Sequence, residues 1–339
     1  MSGARTRRRI ASALLLFGLI AAGLLALWGT SWSLRRATTG EASARYVFVG
    51  AWDAADAPRG GFQRPIGIAV APGGDVLVTD ARVRVVRLSA SGRFQAEWGG
   101  PGDGLGDFAN PVGVAVGPDG SIFVSDYEQD RVQKFTADGR FLASFGMSGK
   151  RTGQLDAPAG LATDAKGSVY VADFYNSRVQ QFRPDGSFQR TIGHPGRLGP
   201  GALHYPTGVS IGTDGELLVA DAYNYQLQWF DPQGRSQRRA GYHLLWLWPR
   251  PAGSRAGLNV PTGATAGPDG LIHVADSGNH RVVMLSQRSE YLTQWAIPEA
   301  DPRINSPEQI AVSPDGGTVY ATDFAGNRVI VLRVSHQHP

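Results

Sequence analysis

Six stretches of this chain follow one template: Pro, a variable residue, Gly, an apolar run, a Gly-containing turn, a second apolar run and a closing Asp. They start at Pro65, Pro111, Pro158, Pro206, Pro261 and Pro307, as in "PVGVAVGPDGSIFVSD" and "PTGVSIGTDGELLVAD"; the last reads Pro-Glu-Gln in place of Pro-x-Gly. The closing residues are Asp80, Asp126, Asp173, Asp221, Asp276 and Asp323, at spacings of 46, 47, 48, 55 and 47. A period of this length marks a repeat architecture, in which no unit buries its apolar surface alone.

Each unit reads as four short antiparallel strands, here called a to d. Strand a follows Pro-x-Gly, and a tight turn leads into strand b, which ends on the Asp. A loop leads to strand c, such as "RVQQF", and a second turn to strand d, such as "FQRTIG". Four strands per 46–48 residues is the pattern of a propeller blade. The sixth unit ends after its strand c, "RVIVLRV" (328–334), yet "FVGAWD" (48–53) resembles the strand d "FQAEWG" (94–99). The expectation is an all-β, six-bladed β-propeller over residues 45–335, its last blade closed by the N-terminal strand, with 336–339 as a tail.

The loops after the Asp residues carry a family likeness. "VADFYNSRVQQF", "VSDYEQDRVQKF" and "VADSGNHRVVML" resemble the NHL repeat, whose hallmark is Asp, then Asn, then Arg-Val before an apolar strand. The resemblance recurs through the six units and implies the propeller fold. It implies much less about function, because propellers host many activities.

The N-terminus is of another kind. Residues 1–36 hold six Arg and no acid, which leaves 27 basic against 29 acidic residues in the rest. The formal charge of +4 therefore reflects the N-terminus and not a nucleic-acid surface, so no nucleic-acid partner is expected. Ile10–Trp28 is uncharged for 19 residues, about 28 Å as a helix, enough to cross a bilayer. The Arg cluster at 5–9 outweighs Arg35 and Arg36, which keeps the N-terminus inside. "TRRRIA" (6–11) also resembles a twin-arginine export signal. The reading is a basic stretch (1–9), an uncleaved single-pass signal-anchor helix (10–28) in the inner membrane and a linker (29–44). The propeller then lies outside, in the periplasm or beyond the cell. Abundant Gly, Ala and Arg with few Lys is a bacterial-type composition. With no Cys, disulfides and thiolate sites are excluded.

What recurs in every blade is architecture first. The six closing Asp residues sit where a carboxylate accepts loop N–H groups. Arg131, Arg178, Arg281 and Arg328 follow five residues on and are placed to pair with them; units one and four show Val85 and Gln226 at that spacing. "GVSIG" (208–212) matches the Gly-x-Ser-x-Gly hydrolase pattern but falls in a strand a, without the strand-to-helix elbow that chemistry needs.

What occurs once is a candidate. By strand counting, the b–c and d–a loops share one face. Tyr127, Phe174, Tyr175, Tyr223 and Phe324 follow the Asp residues there, and Glu308 holds the variable position after Pro, near the channel mouth. The longest spacing falls on "GYHLLWLWPRP" (241–251), a d–a insertion that offers Trp246, Trp248 and Arg250 as binding residues or Leu244, Leu245 and Leu247 as a packing plug. Two enzyme classes share this architecture. The resemblance to NHL-like peptide-amidating lyases implies zinc-binding His after the strand-a Pro, but Ile66, Val112, Ala159, Thr207, Thr262 and Glu308 stand there. His204, His273 and His280 lie at other levels, and His336 and His338 fall in the tail. Lactonase-like propellers imply a channel calcium held by carboxylates and Asn; Glu308 offers one ligand, and the other strand-a starts offer no second acid. The favoured reading is a non-enzymatic, membrane-tethered binding or scaffold propeller for a protein, peptide or glycan. No cofactor is expected, and a divalent calcium or zinc ion enters only with the lactonase, hydrolase or amidating-lyase alternative.

Overall fold

The middle strands decide the arrangement. Val76–Asp80, Ile122–Asp126, Val169–Asp173, Leu217–Asp221 and Ile272–Asp276 are buried at every position, so both faces of each must be covered. The computed structural model describes residues 44–241, 257–296 and 306–336, and these form six four-stranded antiparallel sheets. Blade 1 runs from Ile68–Val70 to Phe94–Trp98 and blade 2 from Pro111–Val116 to Phe141–Phe145. Blade 3 runs from Pro158–Thr163 to Phe188–Ile192, and blade 4 from Pro206–Ile211 to Ser236–Ala240. Blade 5 runs from Pro261–Ala266 to Tyr291–Ala296. Blade 6 joins Pro307–Val312, Thr318–Asp323 and Arg328–His336 to Ala44–Trp52. Among the described residues no helix is long and apolar enough to cross a membrane. The expected anchor (10–28), residues 29–43 of the linker and the insertion residues Trp246, Trp248 and Arg250 lie outside the described residues, and Ala44, assigned to the linker, opens the closing strand instead.

Six apolar clusters fill the six gaps between blades. Leu77 and Val85 of blade 1 pack with Val114, Ile122, Val124 and Phe135 of blade 2. Their neighbours Val76, Val78, Val86 and Leu88 pack with Tyr320, Val329 and Val331 of blade 6. Successive residues of one strand point to opposite faces, so each blade serves two cores.

Closure joins the two ends of the described chain. Ala44–Trp52 pairs with Arg328–His336, Ala44 opposite His336 and Trp52 opposite Val329, with a bulge between Phe48 and Gly50. His336 therefore ends the last strand, which corrects its placement in the tail. The closing strand also grips blade 5: Tyr46 Oη lies 2.7 Å from His273 Nδ1, and Phe48 stacks on Trp295 with ring centres 5.9 Å apart.

The inner strands meet at Pro-x-Gly. A Cβ at Gly113 would overlap the Ala159 carbonyl oxygen of the next blade and stand 2.9 Å from Ser125 Oγ; at Gly160 it would stand 2.6 Å from the Thr207 carbonyl oxygen. The glycine is there for this close approach. Hydroxyls clip the same seam. Thr79, Ser125 and Thr322 on strand b accept from their own blade's inner strand and donate to the carbonyls of Val112, Ala159 and Ile66 in the next. Blades 4 and 5 have Ala220 and Ala275 on strand b. Their clips come from strand a instead, where Thr207 and Thr262 donate to the Pro261 and Pro307 carbonyls.

Asp80, Asp126, Asp173, Asp221 and Asp276 tie their b–c loops to the preceding d–a loops by accepting from the amides of the latter. Asp126 accepts from the Ala109 and Asn110 amides, both at 2.9 Å, and Asp173 from Asp156 N at 2.8 Å. Asp173, Asp276 and Asp323 pair with Arg178, Arg281 and Arg328 at 2.7, 2.7 and 3.2 Å. Two expected details change. In blade 1 the partner is Arg84, fully buried against Asp80 at 3.1 Å; its loop is one residue shorter, which is why Val85 stands at the usual spacing. Arg131 donates to the Gly104 and Asp107 carbonyls and leaves its Nε without a partner, so Asp126 is served by backbone amides.

Replacing Gly113 with Ala should destabilise the protein by about 1–3 kcal/mol, an overpacking cost read from urea denaturation. Burial lowers the His273 pKa to about 3, so the folded protein holds it neutral. Its contribution is complete above the unfolded value of about 6.5 and is lost as pH falls toward 3. His273→Gln, which keeps a partner for Tyr46, should flatten the fall of the urea midpoint between pH 6.5 and 4.

Candidate functional site

One face gathers the unusual side chains. The b–c loops of blades 2, 3 and 4 place Tyr127, Phe174, Tyr175 and Tyr223 immediately after, or two residues after, their Asp residues. These rings form one cluster. Phe174 lies 6.1 Å from Tyr127, 5.0 Å from Tyr175 and 6.3 Å from Tyr223, centre to centre. Phe324, on blade 6, takes no part in it and packs under Arg64, 5.8 Å from its ring centre.

Two members were not anticipated. Tyr205 stacks on Phe174 at 5.0 Å, with the planes 19° apart, and meets Tyr175 and Tyr223 edge to face at 5.9 and 5.3 Å. His204 lies 4.4 Å from Tyr205. Both come from the d–a loop and precede Pro206. Tyr205 adopts φ +54°, a left-handed conformation also taken by Arg64, Ala157 and Val260 before their prolines. The backbone strain thus belongs to the repeat, and blade 4 uses it to aim a ring into the cluster. The signal was the aromatic pair in "HYP" (204–206), which a search restricted to positions after each Asp passes over.

Most of this cluster is packed, but its rim is open. Tyr175 and Tyr223 are 54% and 42% exposed, whereas Phe174, Tyr205 and Tyr127 are half-buried. Burial, then the hydrogen bond to Tyr175, pushes the Tyr127 phenol well above its ordinary value, so it is a neutral hydrogen-bonding group at any physiological pH. Leu105, Met147 and Leu198 in the d–a loops of the same face are exposed at 69%, 64% and 68%. Beneath the cluster Asp221 is fully buried. It accepts from His204 N, Asn224, Gln226 and Gln228, all neutral donors at 2.7–2.9 Å, and desolvation raises its pKa.

The ring axis holds a cavity of about 190 Å³ lined by the inner strands. It is lined by the inner-strand backbones around Gly67, Gly113 and Gly160 and by Ser210, Thr265 and Gln309, while Ile68, Val114, Leu161, Val209 and Ile310 beside it are buried in the cores between blades. Ser210 Oγ is buried there without a partner, in a strand and not at a nucleophile elbow. The residue after each Pro is apolar in blades 1–3, Ile66, Val112 and Ala159, the last two packed with the core that includes Val209, and polar in blades 4–6, Thr207, Thr262 and Glu308. Glu308 Oε1 accepts from Ser306 Oγ at 2.8 Å and lies 3.5 Å from Ser277 Oγ. Burial raises its pKa. Among the described residues no group of three His, Asp or Glu side chains is placed to hold a metal.

The comparisons agree with this architecture. The family model "NHL repeat" matches residues 108–135, 155–182, 203–230 and 258–284, that is, strands a, b and c of blades 2 to 5 with their loops. The chain is an NHL-repeat propeller. Blades 1 and 6 escape the model, and they are the blades with the shortened loop and the composite sheet. No curated protein matches the sequence. A streptogramin B lyase structure aligns over 88% of this chain and all of its own, at 15% identity and TM-score 0.56. The virginiamycin B lyase of Staphylococcus aureus aligns over 86% of this chain and 88% of its own, at 16% identity and TM-score 0.55. A gluconolactonase from Xanthomonas campestris aligns over 86% and 90%, at 16% identity and TM-score 0.60. At such identities the similarity is one of fold.

Because the raised Glu308 pKa means that ionisation opposes folding, the protonated form is the more stable below the unfolded pKa, and that stability is lost as pH rises through the folded pKa. Glu308→Gln should raise Tm by about 2–4 °C at pH 7, the shift worth about 1 kcal/mol in a domain of this size. Calorimetry at pH 4 should show the difference gone.

Proposed function

We propose that this propeller is a binding platform, and that a protein or peptide docks on the aromatic face of blades 2–4. One observation carries the reading. Tyr175 and Tyr223 stand 54% and 42% exposed on a rigid bed of Phe174 and Tyr205, three blades wide, beside exposed Leu105, Met147 and Leu198. Tyrosines held by their neighbours lose little entropy on contact, and such residues anchor protein interfaces. A soluble monomer gains nothing from leaving them in water. With residues 10–28 as its anchor, the platform would present this face outside the cytoplasmic membrane.

A metal-dependent lactonase- or lyase-type activity is the second reading. It draws support from the fold shared with the streptogramin B lyase and the gluconolactonase, and it lacks a ligand set among the described residues.

The test is a photo-crosslinking comparison in membranes, with a photoreactive phenylalanine at position 175 of the full-length chain. It should capture a defined partner, and the same probe beside Tyr223→Ala should lose at least about 90% of the adduct, as removal of a central aromatic predicts. Equal capture by both would overturn the docking reading. Metal analysis covers the second: a stoichiometric calcium or zinc ion that Glu308→Ala removes would establish it.

A further inference from the structure

The aromatic cluster of blades 2–4 has a carboxylate at its edge. The d–a loop from blade 2 to blade 3 closes on itself, with Gly149 N donating to the Leu155 carbonyl and Leu155 N to the Met147 carbonyl, both at 2.9 Å. This fixes Asp156 at the end of the loop. Its backbone is engaged on both sides: the amide donates to Asp173 at 2.8 Å, and the carbonyl accepts from Tyr175 N at 3.1 Å. Asp156 and Tyr175 are thus held side by side on two crossing loops, one d–a and one b–c.

The Asp156 side chain serves nothing in the fold. Among the described residues its half-buried carboxylate takes no hydrogen bond and no ion pair, and Lys150 and Arg151 of the same loop do not pair with it. The rings beside it are ordered. Tyr175 lies 6.2 Å from Tyr127, centre to centre, and stands at 87° to Tyr205 and 75° to Phe174. At 54% exposure Tyr175 keeps a face open to solvent. Burial, the hydrogen bond to Tyr175 and then the charge of Asp156 all push the Tyr127 phenol up, so Asp156 and Tyr175 both lie within electrostatic reach of that hydroxyl. Met147, 64% exposed, sits on the loop that carries Asp156.

These neighbours favour one sign of charge. The face of a tyrosine ring is the negative part of its quadrupole and attracts a cation, and an unpaired carboxylate attracts the same charge. Of the side-chain cations, arginine suits both groups at once. Its planar guanidinium stacks on a ring while its edge donates two parallel hydrogen bonds to a carboxylate; a lysine ammonium is a strongly hydrated point charge and does neither as well.

We propose that the partner of this face presents an arginine side chain, stacked on the open face of Tyr175 and paired with the Asp156 carboxylate, with an apolar neighbour seated against Met147. The inference rests on the docking reading above and gives that partner its chemistry.

The probes are the capped tripeptide acetyl-Phe-Arg-Leu-amide and the same peptide with citrulline, a neutral isostere, in place of arginine. Both are titrated by calorimetry and ligand-observed NMR into the full-length chain in mild detergent at pH 7 and low salt. The arginine peptide should bind saturably, and the citrulline peptide at least about tenfold more weakly, the loss expected for a charge-assisted bidentate contact. Asp156→Asn should keep the parent urea midpoint, because the carboxylate holds nothing in the fold. It should bring the arginine peptide down to the citrulline level and leave the citrulline peptide unchanged. Tyr175→Ala should weaken both. Equal affinity for the two peptides, or arginine binding insensitive to Asp156→Asn, overturns the arginine assignment; if Tyr175→Ala still weakens both, the docking face itself stands. Absence of saturable binding by the arginine peptide also overturns the assignment, and loss of the photo-adduct beside Tyr223→Ala then judges the docking face separately.

Discussion

Every blade of this ring is apolar on both faces of its middle strands, and closure of the circle follows from that constraint. Val78 needs blade 6 as much as Leu77 needs blade 2. Six blades left open would leave two such faces in water, exposing the Val, Tyr and Leu side chains that now fill the gap between blades 6 and 1. The long pairing of Ala44–Trp52 with Arg328–His336 is thus the seal on which all six clusters depend. Tyr46 and Phe48 extend that seal sideways onto blade 5, so the closing strand is held by an edge and by a face.

A ring of near-identical blades also sorts its residues by role. Glycine after Pro-x is forced by the neighbouring carbonyl, and a strand-b or a strand-a hydroxyl clips the seam in five blades, blade 3 having Ala172 and Ala159 at these positions. Thr79, Ser125 and Thr322 give one answer, Thr207 and Thr262 the other. Set against these two solutions, a residue that fits neither stands out on physical grounds. An ionised Glu308 cannot donate, and Gln309 stands where the other five blades have glycine, its side chain turned to the Thr262 carbonyl. Asp221 keeps its carboxylate buried with amide and backbone donors in place of a guanidinium, under the most aromatic part of the surface.

The fold was legible in the sequence because its determinants are local and repeated: the period, the Asp-Gly turns, the strand-d likeness of residues 48–53. The site was legible only where it used the same grammar. Tyr127, Phe174, Tyr175 and Tyr223 follow their Asp residues and could be placed by counting. Tyr205 and His204 reach the same cluster from the other loop, and only the three-dimensional crossing of b–c and d–a loops brings them there. Arg84 was missed for a similar reason. Strand pairing aligns it with Asp80 across one residue fewer, and a fixed offset along the chain cannot register a shortened loop. Phe324 shows the converse: it obeys the counting rule yet sits on blade 6, away from the cluster, under Arg64.

The two unusual regions of the face differ in what they ask of the fold. The aromatic cluster is self-supporting, since Phe174 and Tyr205 bury each other and Phe174 joins the core that includes Ala159 and Val209. Its exposed rim adds little strain and could be lost with little harm to the ring. Glu308 is the opposite case, a charge set in a half-buried rim with two serines in place of a cation. The aromatic surface is thus built from positions that the repeat itself supplies, whereas Pro307-Glu308-Gln309 is a single departure in a sixfold pattern, held by hydroxyls in place of a cation.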